Sequence, residues 1–240
     1  MSEILSNIVR SSDRVAITAA LHVEVIADFV CPFCFIGKRH LDEALKAVQG
    51  PYEVSWNPFQ LNPEIPPEGL PFDIYLTKRF GSPANVEPVL EHLTEEGKAS
   101  GIQFRFDRIR HVPNTLPVHQ LMQHAATAGA DQSAMADHLM SAFFEDGSNI
   151  GERGILVDIA KAHGISPQET QEAIGSDRIR QIVATREAQV RSSGLASAPG
   201  FLINQRLLVV GAQPIDNMIN AFDRAMFGEG SDSLASPALH

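Results

Sequence analysis

One stretch decides the fold: His22-Val23-Glu24-Val25-Ile26-Ala27-Asp28-Phe29-Val30, followed at once by Cys31-Pro32-Phe33-Cys34. Apolar side chains occupy every second position from Val23 to Phe29, which predicts a strand of period two over residues 22–30. From Phe35 to Val48 apolar residues return at helical spacing, and Gly50-Pro51 ends that helix. The two cysteines are therefore expected where a strand passes into the N-terminus of a helix.

The rest of the chain indicates an α/β fold interrupted by helices. A second strand is expected at residues 52–59, and a terminal α-β-β-α unit begins at Ser176, with an Asn204-led hairpin turn and a last helix after Pro214. Between these parts the pattern is helical, with helix starts at Ser82-Pro83 and Ser166-Pro167, helices around 116–128, 132–145 and 152–163, and a short extended piece at 101–107. The first two strands should be parallel, and the hairpin should add antiparallel strands.

These patterns divide the 240 residues into four parts. We expect a discontinuous α/β domain at residues 22–61 and 176–228, with an all-helical insertion at 62–175 after the second strand. Residues 1–21 are expected to be a flexible leader and residues 229–240 a disordered tail.

Composition and charge exclude several classes of function. The chain is 44% hydrophobic, as expected of a globular protein, and its formal net charge is −10. An acidic protein is a poor binder of nucleic acid or of anionic membranes. There is no apolar run of about 18 residues, and the weakly signal-like stretch at 15–21 is interrupted by His22 and Glu24. We therefore expect a cytoplasmic protein.

The two cysteines are the only ones in the chain, so they do not form a disulfide scaffold. Cys31 and Cys34 form a C-x-x-C motif, which in a reducing compartment indicates redox chemistry or metal binding rather than a static disulfide. Half of a zinc site completed by distant histidines and a chance structural pair remain alternatives. The strand-to-helix junction favours thiol–disulfide chemistry, and no bound metal is expected.

The helix N-terminus assigns different roles to the two thiols. Unpaired backbone N–H groups and the positive end of the helix dipole stabilise a thiolate at Cys31, and Pro32 suits the first helical position. We expect Cys31 to be the exposed nucleophile and Cys34 the more buried thiol that resolves a mixed disulfide. The redox-active group would then be a Cys31–Cys34 disulfide, with no other bound cofactor.

The sequence resembles the DsbA-like thioredoxin superfamily, in particular its FrnE-like branch. The similarity runs in order from about residue 22 to residue 228. It is carried by Asp28 to Arg39, Pro58-Phe59-Gln60-Leu61-Asn62-Pro63-Glu64, Pro113-Asn114-Thr115, Pro199 to Asn204, and Val210-Gly211-Ala212-Gln213-Pro214. The resemblance implies a thioredoxin-like fold with a helical insertion over the active site.

The resemblance also implies site residues. It places a cis-proline at Pro199, preceded by Ala198, beside the C-x-x-C turn, and it places Asn114 and Thr115 near the cleft. From residue chemistry alone, Asn114 and Thr115 are a helix-capping pair. Thioredoxin-like proteins often carry a buried acid six residues before the nucleophile, where this chain has Val25.

Two further features of the resemblance bear on proton transfer and redox strength. On an extended strand Glu24 and Asp28 would point to the opposite face from Val25, so the proton of Cys34 would go to water or to a different group. Phe33 stands where the FrnE-like branch usually has tryptophan and the strongly oxidising relatives have histidine. We therefore expect a reduction potential between those of thioredoxin, about −270 mV, and DsbA, about −120 mV.

The resemblance leaves three functions open. The first is a thiol–disulfide oxidoreductase or isomerase that acts on protein thiols and disulfides. The second is a glutathione-dependent isomerase or transferase of small molecules, as in the related 2-hydroxychromene-2-carboxylate isomerase and kappa-class glutathione transferase families. Those families generally carry serine at the position of Cys31. Glutathione also remains a possible co-substrate of the present protein. The third is a holdase-type binding module.

Overall fold

A four-stranded mixed sheet lies at the centre of the protein. The structure, a computed structural model, describes residues 21–228. The strand order is β2-β1-β5-β6, with β1 at Leu21–Ala27, β2 at Tyr52–Pro58, β5 at Gly200–Ile203 and β6 at Leu207–Val210. As predicted, β1 and β2 are parallel and the β5–β6 hairpin is antiparallel; β5 also pairs antiparallel with β1. The predicted tail and residues 1–20 of the predicted leader lie outside the described residues, and Leu21 belongs to β1.

The first strand ends earlier than the alternating sequence predicts. β1 stops at Ala27, and Asp28 to Val30 form an irregular turn before the helix. Because the strand alternation does not continue through this turn, the expectation that Asp28 faces away from the cysteines is wrong. Its side chain is fully buried and accepts hydrogen bonds from the backbone N–H of Phe29 at 2.8 Å and of Leu61 at 2.7 Å.

Nine helices lie within residues 21–228. The first is α1 at Pro32–Leu45, which ends three residues before the predicted Val48. The last two are α8 at Asp177–Ser192, between the insertion and β5, and α9 at Ile215–Phe227, which packs against α1. The others lie between β2 and α8: α2 at Phe72–Phe80, α3 at Pro83–Ala99, α4 at Leu116–Ala128, α5 at Gln132–Phe144, α6 at Arg153–Ala162 and α7 at Pro167–Gly175.

The predicted insertion is helical but not entirely so. Two short strands, β3 at Leu70–Pro71 and β4 at His111–Val112, pair antiparallel within it. Neither could be predicted, because two residues are too few to show a period. The extended piece predicted at 101–107 is irregular chain ending in a turn. The capping box at Ser166 is confirmed: its hydroxyl accepts from the N–H of Glu169, whose carboxylate accepts from the N–H of Ser166.

The hairpin turn is confirmed at the predicted asparagine. Asn204 and Gln205 both have positive φ, of 47° and 55°. Asparagine tolerates this left-handed conformation better than most residues. The Asn204 side chain also accepts a hydrogen bond from the N–H of His22 at 2.7 Å, which fixes the hairpin against the start of β1. The turn thus holds β5 in register beside the strand that leads to the cysteines.

A cluster of aromatic rings holds the insertion against α1. Phe35, next to Cys34, lies 6.2 Å from Phe104 and 6.1 Å from Phe144 between ring centroids. Phe104 in turn packs directly on α3 at Gly97, where a Cβ atom would lie 2.3 Å from the ring. A side chain at position 97 would therefore force α3 or the ring to move, and α1 with it.

We expect Gly97→Ala to destabilise the protein, although the same change in a helix ordinarily stabilises by about 0.5–1 kcal/mol. Overpacking against Phe104 should cost about 1–3 kcal/mol in the free energy of unfolding, measured by denaturant titration. Gly154→Ala is the matched control, because a Cβ there meets no atom within 4 Å. If both variants were stabilised equally, the proposed close packing of α3 on Phe104 would be wrong.

Candidate active site

The first cysteine begins α1 and caps it with its own sulfur. Cys31 is the N-cap residue, and its Sγ accepts a hydrogen bond from the backbone N–H of Cys34 at 3.3 Å. Pro32 occupies the first turn, where its missing N–H removes no helical hydrogen bond. A sulfur that accepts N–H groups at the positive end of a helix is stabilised as a thiolate. This geometry is what the sequence predicts for the attacking group.

The exposure of the motif differs from the prediction. Cys31 was expected to be exposed, but it is 3% exposed and Cys34 is 1% exposed. Ala198 contributes to this burial, since its carbonyl oxygen lies 3.9 Å from Cys31 Sγ. Phe33 is the most exposed residue of the motif, at 46%.

Burial raises the pKa of the Cys34 thiol well above its ordinary value of 9.0. Loss of solvation is the largest cause, followed by the hydrogen bond and the charge of Cys31, while the charge of Asp28 acts in the same direction. A backbone hydrogen bond from Asp28 opposes the rise. Cys34 therefore stays protonated near neutral pH, as suits the thiol that acts second.

The Ala198–Pro199 peptide bond is cis and lies beside the cysteines, as the resemblance implies. Close approach to α1 depends on Gly37, because a Cβ there would lie 3.1 Å from the Pro199 ring and 3.1 Å from Phe201. The Pro199 carbonyl oxygen accepts from the N–H of Gly211 at 2.8 Å, which ties the cis-proline loop to the end of β6.

Asp28 and two residues of the insertion complete the site. Tyr75 of α2 is partly buried; burial, together with the charges of Cys31 and Asp28, raises the pKa of its hydroxyl. Its hydroxyl oxygen accepts from the Asn62 side chain at 3.4 Å. His119 of α4 places Nε2 3.4 Å from Oδ1 of Asp28, and both side chains are almost fully buried. The insertion therefore places one polar side chain, that of His119, directly against Asp28.

Asn114 and Thr115 precede α4, and Asn114 acts as a tether there. Its amide donates to the Ile65 carbonyl oxygen at 2.6 Å, and its side-chain oxygen accepts from the N–H of Leu116 at 3.0 Å. Thr115 is the N-cap residue but makes no side-chain capping bond. The capping expectation is thus met by Asn114 and not by Thr115. A role of either residue in the chemistry stays a prediction.

Sequence reasoning missed Tyr75, Asp28 and His119 as members of the site. Asp28 was assigned to the wrong face because β1 was extended too far. His119 carried one usable signal: it falls on the apolar face of α4 with Val118 and Met122, where a titratable residue needs a partner. Tyr75 carried none, since it becomes a site residue only through the docking of α2.

The described residues offer neither a metal-ligand cluster nor a membrane-spanning helix. Within residues 21–228, no three or more His, Cys, Asp or Glu side chains are grouped so that they could hold a metal ion. None of the helices in the same range is both long and apolar enough to span a bilayer.

The fold and the site together define a protein with a thioredoxin fold, a C-x-x-C motif at a helix N-terminus and a cis-proline beside it. A model of the DSBA-like thioredoxin domain matches residues 22–223. The chain belongs to this family.

Relatives agree with this assignment. The uncharacterized protein YwbO of Bacillus subtilis (strain 168) is 26% identical over 190 residues, covering 78% of this chain and 89% of YwbO. The crystal structure of the probable DsbA oxidoreductase SCO1869 from Streptomyces coelicolor superposes with a TM-score of 0.79 at 24% identity, covering 90% of this chain and 94% of that one. The structure of the cytosolic disulfide reductase DsbM from Pseudomonas aeruginosa with GSH superposes with a TM-score of 0.56 at 19% identity. The match covers 85% of this chain and 95% of that one. At these identities the structures show a shared fold.

The raised pKa of Cys34 predicts how this thiol reacts with an alkylating agent. In Cys31→Ser, where Cys34 is the only cysteine, the rate of reaction with iodoacetamide should still rise with pH above 9, because desolvation persists. The same variant in urea should titrate near the ordinary value of 9.0. A plateau below pH 9 in the folded variant would contradict the assignment of Cys34 as the protonated, buried thiol.

Proposed function

We propose that this protein is a cytoplasmic thiol–disulfide oxidoreductase or isomerase that acts on protein thiols and disulfides through Cys31 and Cys34. The observation that carries the proposal is the hydrogen bond from the Cys34 N–H to Cys31 Sγ at the start of α1. It holds the first sulfur where a thiolate is stabilised and the second thiol within one helical turn. The cytoplasmic location is part of the proposal, and it is supported by the similar fold of DsbM from Pseudomonas aeruginosa, a cytosolic disulfide reductase.

The chemistry follows a two-step exchange. The Cys31 thiolate attacks one sulfur of a substrate disulfide, forming a Cys31–substrate mixed disulfide and releasing the other substrate sulfur as a thiolate. Cys34 then loses its proton and attacks Cys31 Sγ, which forms the Cys31–Cys34 disulfide and releases the reduced substrate. The reverse sequence oxidises a substrate dithiol.

The surroundings of Cys31 favour an extended polypeptide as substrate. The cis Ala198–Pro199 segment lies against Cys31, and the neighbouring ring of Phe33 is exposed and apolar. The alternative, a glutathione-dependent isomerase or transferase, needs only one thiol, so the retention of Cys34 at the site favours the dithiol exchange.

Mixed-disulfide trapping tests the proposal. Cys34→Ala leaves the nucleophile but removes the resolving thiol, so covalent complexes between Cys31 and protein substrates should accumulate and be identifiable by mass spectrometry. Wild type should reduce insulin, and Cys31→Ser should lose essentially all of that turnover.

Control variants separate the two functional classes. Cys31→Ser/Cys34→Ala should trap nothing, which establishes that the complexes form through Cys31. If Cys34→Ala accumulated glutathione adducts alone, and wild type left insulin unreduced, the glutathione-dependent function would replace the proposed one.

A further inference from the structure

A cleft with a volume of about 770 Å³ lies within the insertion, between α2, α3 and the chain that leads to β4. Its floor is apolar and is lined by Leu76 of α2, by Val86 and Leu90 of α3, and by Phe106. Leu76 is 9% exposed and the other three side chains are half-buried. The volume lies within the range of about 300–1,000 Å³ that is usual for ligand sites.

One side of the cleft is a row of carboxylates. Glu87, Glu91 and Glu95 follow one another at intervals of four residues along α3, next in sequence to Val86 and Leu90 of the floor. Residues four apart lie on the same face of a helix, so α3 presents an apolar row flanked by an acidic row. All three glutamates, called the rim glutamates below, are exposed.

Within residues 21–228, the rim glutamates make no ion pair. Asp73 and Asp107 also line the cleft, against one lysine, Lys98. Of these two aspartates only Asp107 is paired, with Arg105 at 2.7 Å. Like charges four residues apart destabilise a helix. The acidic row is therefore a cost that no ion pair in the described part of the chain offsets.

A cationic amphipathic helix matches both rows of the cleft. Its apolar side chains would cover the floor, in the way that amphipathic helices bind to hydrophobic grooves. Its lysine or arginine side chains would reach the rim glutamates, which gives the two surfaces complementary potentials. Nucleic acid and anionic membranes, by contrast, would be repelled by this row.

The chain itself does not supply such a helix beyond the described residues. Residues 1–20 contain two acidic and two basic residues, and residues 229–240 contain two acidic residues and no lysine or arginine. A second copy carries the same formal net charge of −10, which opposes association. Charge therefore favours a different protein as the partner.

We propose that the cleft between α2 and α3 is a docking site for a partner protein that presents a cationic amphipathic helix. Val86 and Leu90 bind the apolar face of that helix, and the rim glutamates bind its basic residues. Neither cysteine lines the cleft. The docking function is therefore separate from the thiol exchange proposed above.

Fluorescence anisotropy of a labelled synthetic peptide tests the site on the full-length protein. The peptide has about four helical turns, with leucines on one face, lysines elsewhere and no cysteine. We expect it to bind, and to bind more weakly as NaCl is raised from about 0.05 to about 0.5 M, because salt screens surface charges. Two control peptides should bind about tenfold more weakly. One has glutamate for every lysine, and the other has the same residues scrambled so that the amphipathic pattern is lost.

Charge variants of the protein locate the binding. Replacement of all three rim glutamates by glutamine should weaken binding of the leucine–lysine peptide by about tenfold, since three exposed charge pairs are lost. A matched control removes three charges from exposed positions that do not line the cleft, and it should leave the affinity nearly unchanged; its substitutions are Glu53→Gln, Asp158→Asn and Glu172→Gln.

Leu90→Ala tests the apolar floor. We expect about tenfold weaker binding, because part of the apolar contact with the peptide is lost. Val89→Ala is the matched control, since Val89 is also half-buried on α3 but does not line the cleft. The free energy of unfolding of both variants, measured by denaturant titration, distinguishes a lost contact from a lost fold.

The pattern across the variants is decisive. Weaker binding in the rim variant and in Leu90→Ala, but not in their controls, supports the docking site. Absence of binding, equal weakening in both charge variants, or full affinity of Leu90→Ala or of the scrambled peptide overturns it. Self-association in sedimentation that the rim variant abolishes would assign the cleft to a second copy and also overturn it. Because the peptide has no cysteine, none of these results depends on insulin reduction.

Discussion

The Asp28 carboxylate is the constraint on which the site depends. One of its oxygens fixes the turn that leads to Cys31, through the N–H of Phe29, and the other fixes the chain after β2, through the N–H of Leu61. Hydrogen bonds to a charged group contribute about 1.5–3 kcal/mol each when buried. A single side chain therefore joins the end of β1, the chain that leads from the sheet into the insertion, and the environment of Cys34. Loss of this carboxylate would free all three.

The sheet and the insertion supply different parts of the site. The sheet places Cys31 at the start of α1 and brings Ala198 and Pro199 beside it from β5, the neighbour of β1. The insertion contributes Tyr75 and His119 near Asp28. It packs against α1 through the aromatic cluster around Phe35 and Phe104. Because Phe35 follows Cys34 directly, packing of the insertion and position of the resolving thiol are coupled. Stability and reactivity should change together when this cluster is disturbed.

The sequence predicted the parts of the fold that carry a periodic signal. The strand, the C-x-x-C motif and the helix after it were visible in their apolar spacing, and the turn at Asn204 in its chemistry. The cis bond at Pro199 came from resemblance, since local sequence does not distinguish cis from trans. The predicted end of β1 was wrong, because the alternation in the sequence continues for three residues after the hydrogen-bonded strand ends at Ala27. That error placed Asp28 on the wrong face. The burial of Cys31 was missed because part of it comes from distant residues such as Ala198, 167 residues away.

The central claim is that Cys31 and Cys34 form one redox couple at a buried site. Equilibration of the protein in glutathione buffers of graded redox potential, followed by alkylation and mass measurement, tests it most directly. The account predicts one two-electron transition in which both thiols disappear together, with a midpoint between about −270 and about −120 mV. Independent loss of the two thiols as single glutathione adducts, or no transition across that range, would contradict it.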